Sequence, residues 1–466
     1  MIKFYIMDEK YLLHKTFFLI AFIILIVISG IYIGFTSNQI ITIASFSLSI
    51  LGTLLFWHFR LSFAFLGTTI ILFTGVAKLD VFLHHASMEI ILFLIGMMII
   101  VGFLREIGMF TWMLERALIM RNISAKKFMI ALVFSSAILA CVVDEVSSIL
   151  FMIMIILELC DYFEVDPLPF IMISILSTNI GSAGTVIGNP IGVLIAAKAG
   201  LTFEDFILYS FPLMLLSLLI LIGLFLILFK KELKELDEKI ELLGPNEFLV
   251  KLLDVPPSKK LRIAFVIFGA TIALIACHHR LELLLHLETN TILLIAPLLA
   301  SAIIMIWRRD RARSYIEKDV EWWTLLFFIF LFAQAGTLAQ TGVAQTLAQK
   351  LLILAEGNKN LLIGIILFGG AFVSSILDNV VVVAGCIPLL NSLNEALGTD
   401  KILWWALLFA ACFGGNITVI GSTANIIAVG TLEKQRNMTI SFKYWLKIGL
   451  IVGVVTLVFV YLCLIT

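Results

Sequence analysis

The sequence predicts an all-α polytopic membrane protein, with about eleven transmembrane helices and two re-entrant hairpins arranged as two inverted repeats. Three observations predict it. The 466-residue chain is 61% hydrophobic and only 14% charged, where soluble domains average roughly 45–50% and about 25%; its mean hydropathy is +1.12. Its apolar residues fall in runs of about 20, the length that spans a bilayer. Two of those runs carry acidic residues at their centres, and the order of elements around them occurs twice. This surplus of apolar surface excludes a soluble globular protein and a disordered chain. Lys+Arg and Asp+Glu both number 32, so no net positive charge points to nucleic acid.

Thr16 to Gly34 is the first apolar run, behind Lys10 and Lys15. It is too long for a signal-peptide core and lacks a small-residue cleavage site, so a retained helix is expected within an N-terminal segment, 1–38. Further spans are expected at 39–57, 61–77, 88–104, 168–199, 206–229, 261–277, 290–307, 320–337, 402–433 and 442–464. The stretches 128–160 and 361–393 differ. Asp144-Glu145 and Asp378-Asn379 interrupt them, leaving halves of about 16 residues, short for a crossing. They read as hairpins, 124–162 and 358–395, with tips near mid-membrane. Irregular backbone survives there only against protein or beside a wet cavity.

The distribution of basic residues supports this path. With the N-terminus inside and each hairpin returning to its own side, Arg105, Arg116, Arg121, Lys126, Lys127, Lys230, Lys231, Arg308, Arg309, Arg311 and Arg313 fall in the cytoplasm. Lys78, Lys198, Arg280, Lys350, Lys359 and Lys401 fall outside, as does the C-terminus. The asymmetry disappears if either hairpin counts as a crossing. The polar stretch 231–260 contains Pro256-Pro257 and an amphipathic piece around Glu235–Leu253, and reads as a cytoplasmic linker.

On either side of that linker the same elements recur, in 39–230 and 261–466. Gly102 and Gly108 of one half match Gly336 and Gly342 of the other. Next come the tips, Asp144-Glu145-Val146 and Asp378-Asn379-Val380. A shared tetrapeptide follows: Thr185-Val186-Ile187-Gly188 starts 41 residues after Asp144, and Thr418-Val419-Ile420-Gly421 starts 40 after Asp378. Inverted repeats with interrupted helices at matching positions mark secondary transporters, whose broken helices offer carbonyls and half-helix ends to an ion.

The first interruption reads Ser177-Thr178-Asn179-Ile180-Gly181-Ser182-Ala183-Gly184-Thr185-Val186-Ile187-Gly188-Asn189-Pro190. The second reads Gly414-Gly415-Asn416-Ile417-Thr418-Val419-Ile420-Gly421-Ser422-Thr423-Ala424-Asn425. With the tip Leu377-Asp378-Asn379-Val380, these segments resemble the ion transporter superfamily, in its arsenite permease and sodium–proton antiporter branch, with the citrate-transporter-like fold. The resemblance covers about residue 88 to the C-terminus. It implies a homodimer in a bacterial inner (plasma) membrane, with a fixed scaffold and a transport domain that moves like an elevator. The chain departs from the family pattern at Asp144-Glu145, where Asp-Asn is more usual, and at Asn189, where many relatives carry an acidic residue.

An ionisable group at the bilayer centre costs about 2.5–3.5 kcal/mol on insertion scales and is functional by default. The candidate ion- or substrate-binding residues are Asp144, Glu145 and Ser147 at the first tip, and Asn179, Gly181, Thr185 and Asn189 in the first break. In the second half they are Asp378 and Asn379 at the tip, and Asn416, Thr418, Ser422 and Asn425 in the break. Asp144, Asn179, Asp378 and Asn416 are the expected sodium ligands. Burial favours the protonated form of a carboxyl group, so a tip carboxylate that alternates between proton and sodium gives obligatory exchange. The alternative is an anion permease, for arsenite or a small carboxylate such as citrate, coupled to sodium or protons. No arginine is evident at either tip to receive a dianion.

Other classes fit less well. A channel does not need paired inverted hairpins. An enzyme wants a nucleophile with a base, or a metal cluster, and all seven histidines lie outside the interrupted segments. No phosphate-binding motif is present, and no cofactor is expected beyond the transported sodium or proton; the expected partners are lipid, the small ion and a second copy. The six cysteines are scattered, without a CxxC pair; Cys141, Cys386 and Cys412 read as small apolar core residues. His84-His85 and His278-His279 read as outer-loop residues, and Trp307, Trp322-Trp323, Trp404-Trp405 and Trp445 as interfacial belts.

Overall fold

The computed structural model describes residues 9–109, 112, 124–243, 259–397 and 401–466. Among these residues every regular element is helical. Leaving aside the short turns Trp57–Phe59, Leu79–His84, Ala312–Ser314 and Tyr315–Asp319, they are in chain order α1 (Glu9–Ile33), α2 (Ser37–Leu55), α3 (Arg60–Phe73), α4 (Met88–Ile107), α5 (Ala125–Val142), α6 (Glu145–Phe163), α7 (Leu168–Gly181) and α8 (Pro190–Ala199). Then follow α9 (Phe203–Leu228), α10 (Lys230–Leu243), α11 (Lys259–Ala276), α12 (His278–Leu285), α13 (Thr291–Trp307) and α14 (Trp322–Gln340). The last six are α15 (Val343–Leu354), α16 (Lys359–Ser374), α17 (Asn379–Leu397), α18 (Ile402–Gly414), α19 (Thr423–Arg436) and α20 (Phe442–Ile465). Nine described helices are long and apolar enough to cross a membrane, or ten if α11 and α12, bent by 67°, make one span. Of the linker, the helix α10 is described, whereas 244–258, with Pro256-Pro257, lie outside the described residues, as do Arg116 and Arg121.

The helix ends follow from local chemistry. Thr36 closes a capping box with Gln39 ahead of α2, and Ser124 and Ser441 cap α5 and α20. Gly108 and Gly342, matched in the two halves, both sit just past a helix end with φ of +77° and +81°, a conformation that a side chain resists. The predicted spans 168–199 and 402–433 are each two helices around a non-helical segment, α7 with α8 and α18 with α19. The legs of the first hairpin are longer than expected, 18 residues in α5 and 19 in α6. The Ser124 cap starts the first leg early, and the left-handed Glu164 ends the second late. Leg length alone therefore does not separate a re-entrant leg from a span.

The chain divides into two compact units. The first comprises Met1–Ile91, Glu321–Asn358 and Ala384–Asp400, so it draws on both sequence halves. Within it α2, α3 and α14 pack together. Gly67 permits their approach, since a Cβ there would sit 2.7 Å from the Ser45 carbonyl oxygen. The second unit comprises Leu92–Val320, Lys359–Val383 and Lys401–Thr466, and it holds both tips and both breaks. There α5 and α6 pack on each other and on α7, α19 packs on α6, and α18 packs on α16 and α20.

Two expectations need correction. His278 is no loop residue: it begins α12, is 3% exposed, and its ring bonds the Ile275 carbonyl at 2.8 Å. Of the tryptophans, Trp307, Trp322 and Trp323 are exposed, but Trp404, Trp405 and Trp445 are buried in protein. Hydropathy reads a Trp on an apolar helix as a belt residue, because it does not see the partner that covers the ring.

Candidate ion-binding site

Each tip is a helix start. Asp144 adopts extended backbone after α5, and its Oδ1 accepts the Ser147 N–H at 2.7 Å, capping α6. Asp378 precedes α17 in the same way; its Oδ1 accepts the Val380 N–H at 3.0 Å, and its other oxygen accepts the Thr423 hydroxyl. The next residues, Glu145 and Asn379, are 4% and 1% exposed. They bring the tips together, with Asn379 Nδ2 donating to Glu145 Oε1 at 3.3 Å.

The two breaks are built alike. The Thr185 hydroxyl donates to the Cys141 carbonyl and the Thr418 hydroxyl to the Ser375 carbonyl, matching positions on the two hairpins. Gly188 lies against the carbonyls of Ser182 and Ala140, which a Cβ would approach to 2.6 and 3.0 Å. Gly421 lies against those of Gly415 and Ser374, at 2.9 Å from each. Asn189 caps α8, its Oδ1 accepting the Gly192 N–H at 2.7 Å, and Ser422 caps α19. These caps close each break by satisfying donors that the helix leaves open.

Three asparagines join the breaks. Asn179, on the last turn of α7, donates through Nδ2 to Asn416 Oδ1 at 2.8 Å and to Asn425 Oδ1 at 2.9 Å. Asn425 donates to the carbonyls of Gly415 and Thr418, and Asn416 to that of Leu176. Those bonds fix which end of Asn416 and Asn425 is oxygen, and so the Asn179 amide can point only its nitrogen at them. Its Oδ1 is fully buried and receives no hydrogen bond from the described residues. A buried polar atom without a partner is rare and marks strain, function or a missing ligand.

The predicted residues thus divide. Glu145 and Asn379 meet between the tips, Asn179, Asn416 and Asn425 meet between the breaks, and Asp144 and Asp378 each bond the start of the helix that follows them. Ser147 serves through its main chain, and Gly181 gives close packing against the Ala137 backbone while its carbonyl accepts the Cys141 thiol at 2.9 Å. Asn189 binds Ser182 Oγ and Cys412 Sγ through Nδ2.

Four participants escaped the sequence reading. Thr423 stands next to Ser422 and holds Asp378. Ser182 joins Asn189 to the Asn179 carbonyl. Trp445 donates to the Asn416 carbonyl. Arg105, in the last turn of α4, pairs with Asp319. Beside that pair, Glu106 accepts Arg308 Nη2 at 2.5 Å and the Tyr315 hydroxyl at 2.6 Å. Burial, together with Glu106, pushes the Tyr315 hydroxyl up to about 12.

Comparison with known proteins bears on the same segments. The family model described as citrate transporter (CitMHS) matches residues 6–352 and 329–465. The chain belongs to the citrate transporter family. An uncharacterized transporter of Mycobacterium tuberculosis is 33% identical over 386 residues, 81% of this chain and 87% of that protein. An uncharacterized transporter of Synechocystis is 25% identical over 85% of this chain and 90% of its own length. The human P protein is 28% identical over 78% of this chain and 51% of its own length. Among solved structures, the Alcanivorax borkumensis YdaH transporter aligns with a TM-score of 0.54 at 12% identity, over 81% of this chain and 84% of that one, a likeness of fold. This citrate-transporter-family chain is therefore a multi-pass integral membrane protein and a secondary transporter, not an enzyme.

Proposed function

We propose that this transporter exchanges sodium for protons, as the arsenite permease and sodium–proton antiporter branch implies. The observation that carries the reading is Asn179 Oδ1, buried without a donor among the described residues in the cluster that joins the two breaks, each of which follows a tip bearing carboxyl groups, Asp144 and Glu145 in one half and Asp378 in the other. A buried acceptor without a donor costs about 1–3 kcal/mol. A sodium ion removes that cost by taking the oxygen as a ligand, with Asp144, Asp378 and Asn416 as further ligands. Sodium and proton then compete for the same carboxyl groups. One sodium offsets one carboxylate, so the sodium-loaded state is near neutral when the other carboxyl groups keep their protons, and the empty charged state crosses poorly.

The elevator mechanism, the homodimer and the cytoplasmic N-terminus with an outside C-terminus in a bacterial plasma membrane belong to this proposal. Residues 124–200, 359–383 and 401–433 are the mobile body, and the arms 39–91 and 321–337, which belong to the other compact unit, are the scaffold. Single cysteines on the tips, in a background without native Cys, should change the side from which an impermeant thiol reagent reaches them when the ion gradient is reversed; cysteines on the arms should not. Equal labelling of the tips from both sides at once would point to a pore.

The family description favours a second reading, a citrate-like substrate with sodium or protons as coupling ion. Proteoliposomes with an enclosed pH dye separate the two. External sodium or lithium should make the lumen alkaline under the first reading. Uptake of citrate or arsenite, with no pH response to sodium alone, would replace the first reading with the second.

A further inference from the structure

Both breaks free a buried carbonyl from helical bonding at the same place, two residues before the shared threonine: Ala183 before Thr185 and Asn416 before Thr418. In each half the second helix after the break supplies a donor to it. The Ser210 hydroxyl of α9 donates to the Ala183 carbonyl at 2.6 Å, and the Trp445 indole N–H of α20 donates to the Asn416 carbonyl at 3.1 Å. Both donors are 0% exposed. Neither is close packing by accident. Ser210 ends a π-helical turn of α9, Phe206–Ser210, a distortion of the kind that re-aims side chains at functional sites. On α20, Gly449 and Gly453 let the helix lie directly on the break, since a Cβ on Gly449 would meet the Ile417 carbonyl at 3.0 Å and one on Gly453 the Ile417 side chain at 2.6 Å.

The two breaks differ in what the braced residue carries. Ala183 has no polar side chain. Asn416 has its main chain held by Trp445 while its Oδ1 accepts from Asn179, whose own Oδ1 is the unpartnered atom. We propose that Ser210 and Trp445 are equivalent positioning residues, each bracing one helix break from outside, and that Trp445 sets the affinity of the asparagine cluster for its cation. This rests on the sodium reading above. Neither residue touches the ion; each fixes the backbone from which ligands project.

The test is a sodium titration of the thermal stability of purified full-length protein in detergent, with choline chloride holding the ionic strength. Trp445→Phe keeps the ring and removes the N–H. It should move the rise of melting temperature against log sodium about three- to tenfold to higher sodium, the range that one hydrogen bond covers, without changing its slope. Ser210→Ala, in the break without a braced ligand, should move it about twofold. A rise at the wild-type sodium concentration in either variant, whatever its melting temperature without sodium, would reduce the brace to ordinary packing and overturn the proposal. Ser210→Ala decides the question for the first break even if Trp445→Phe does not fold. A wild-type protein that sodium fails to stabilise would overturn the sodium reading and the brace with it, so the two failures are distinct.

Discussion

Gln334 and Asn179 are both buried carboxamides on apolar helices, yet they are satisfied differently. Gln334, in the first compact unit, is 0% exposed. Its Oε1 accepts the Ser49 hydroxyl at 2.8 Å, and its Nε2 donates to the Ala64 carbonyl at 2.8 Å and Thr68 Oγ1 at 3.0 Å. Asn179, in the second unit, is 1% exposed; its nitrogen is doubly used and its oxygen receives nothing. A closed network of this kind joins helices where lipid offers no hydrophobic drive, at a modest gain per bond. The second network leaves one acceptor open among the described residues, and the sodium reading places its ion there. The contrast teaches that burial and polarity do not by themselves mark a transport site; an open acceptor between two helix breaks is what sets Asn179 apart from Gln334.

The carboxylates give the largest expected effect. Asp378→Asn keeps the shape of the side chain but cannot ionise, so the variant should fold, as judged by monodisperse elution, and lose coupled exchange to background. Asp144→Asn should do the same. Wild-type flux in either well-folded variant removes that residue from the mechanism.

The breaks come next. A Cβ at Gly188 or Gly421 meets backbone carbonyls that cannot turn away. Gly188→Val and Gly421→Val should therefore lose most of the sodium-induced rise in melting temperature, and lose less of the melting temperature measured without sodium. An intact sodium-induced rise in both would mean that the breaks do not shape the ion site.

The two carboxamides can be set directly against each other. Asn179→Ala should raise the half-saturating sodium concentration for exchange about tenfold. Gln334→Met should leave that concentration unchanged while destabilising the protein by about 1–2 kcal/mol. The reverse pattern would exchange their roles. The smallest effect is expected from Thr423→Val, which removes one hydroxyl from Asp378 and should weaken sodium about threefold in the same flux assay.

Much of this site was legible in the chain because repeated chemistry leaves repeated spelling. The matched tetrapeptide located Thr185 with Thr418 and Gly188 with Gly421, and these pairs make corresponding contacts. Asp144 and Asp378 were legible as acidic interruptions of apolar runs. What escaped depends on partners far away in sequence. Trp445 reads as a belt residue until the Asn416 carbonyl is brought to its indole. Arg105 reads as a loop charge until Asp319 approaches it. The bend between α11 and α12 carries no Pro or Gly to announce it. Gly181 sits in a polar break and reads as a ligand, whereas its role against Ala137 is steric.

The central claim is that sodium and protons compete for one set of buried oxygens around Asn179. Proton release on sodium binding tests it most directly, measured with a pH indicator on purified protein in weakly buffered detergent. Sodium should release protons from the wild type. The half-maximal sodium concentration should rise as pH falls, because protons then occupy the carboxyl groups that sodium needs. Asp378→Asn should release fewer protons, and choline none. Sodium binding with no proton release at any pH would contradict the account, and would leave sodium as a partner carried alongside a different substrate.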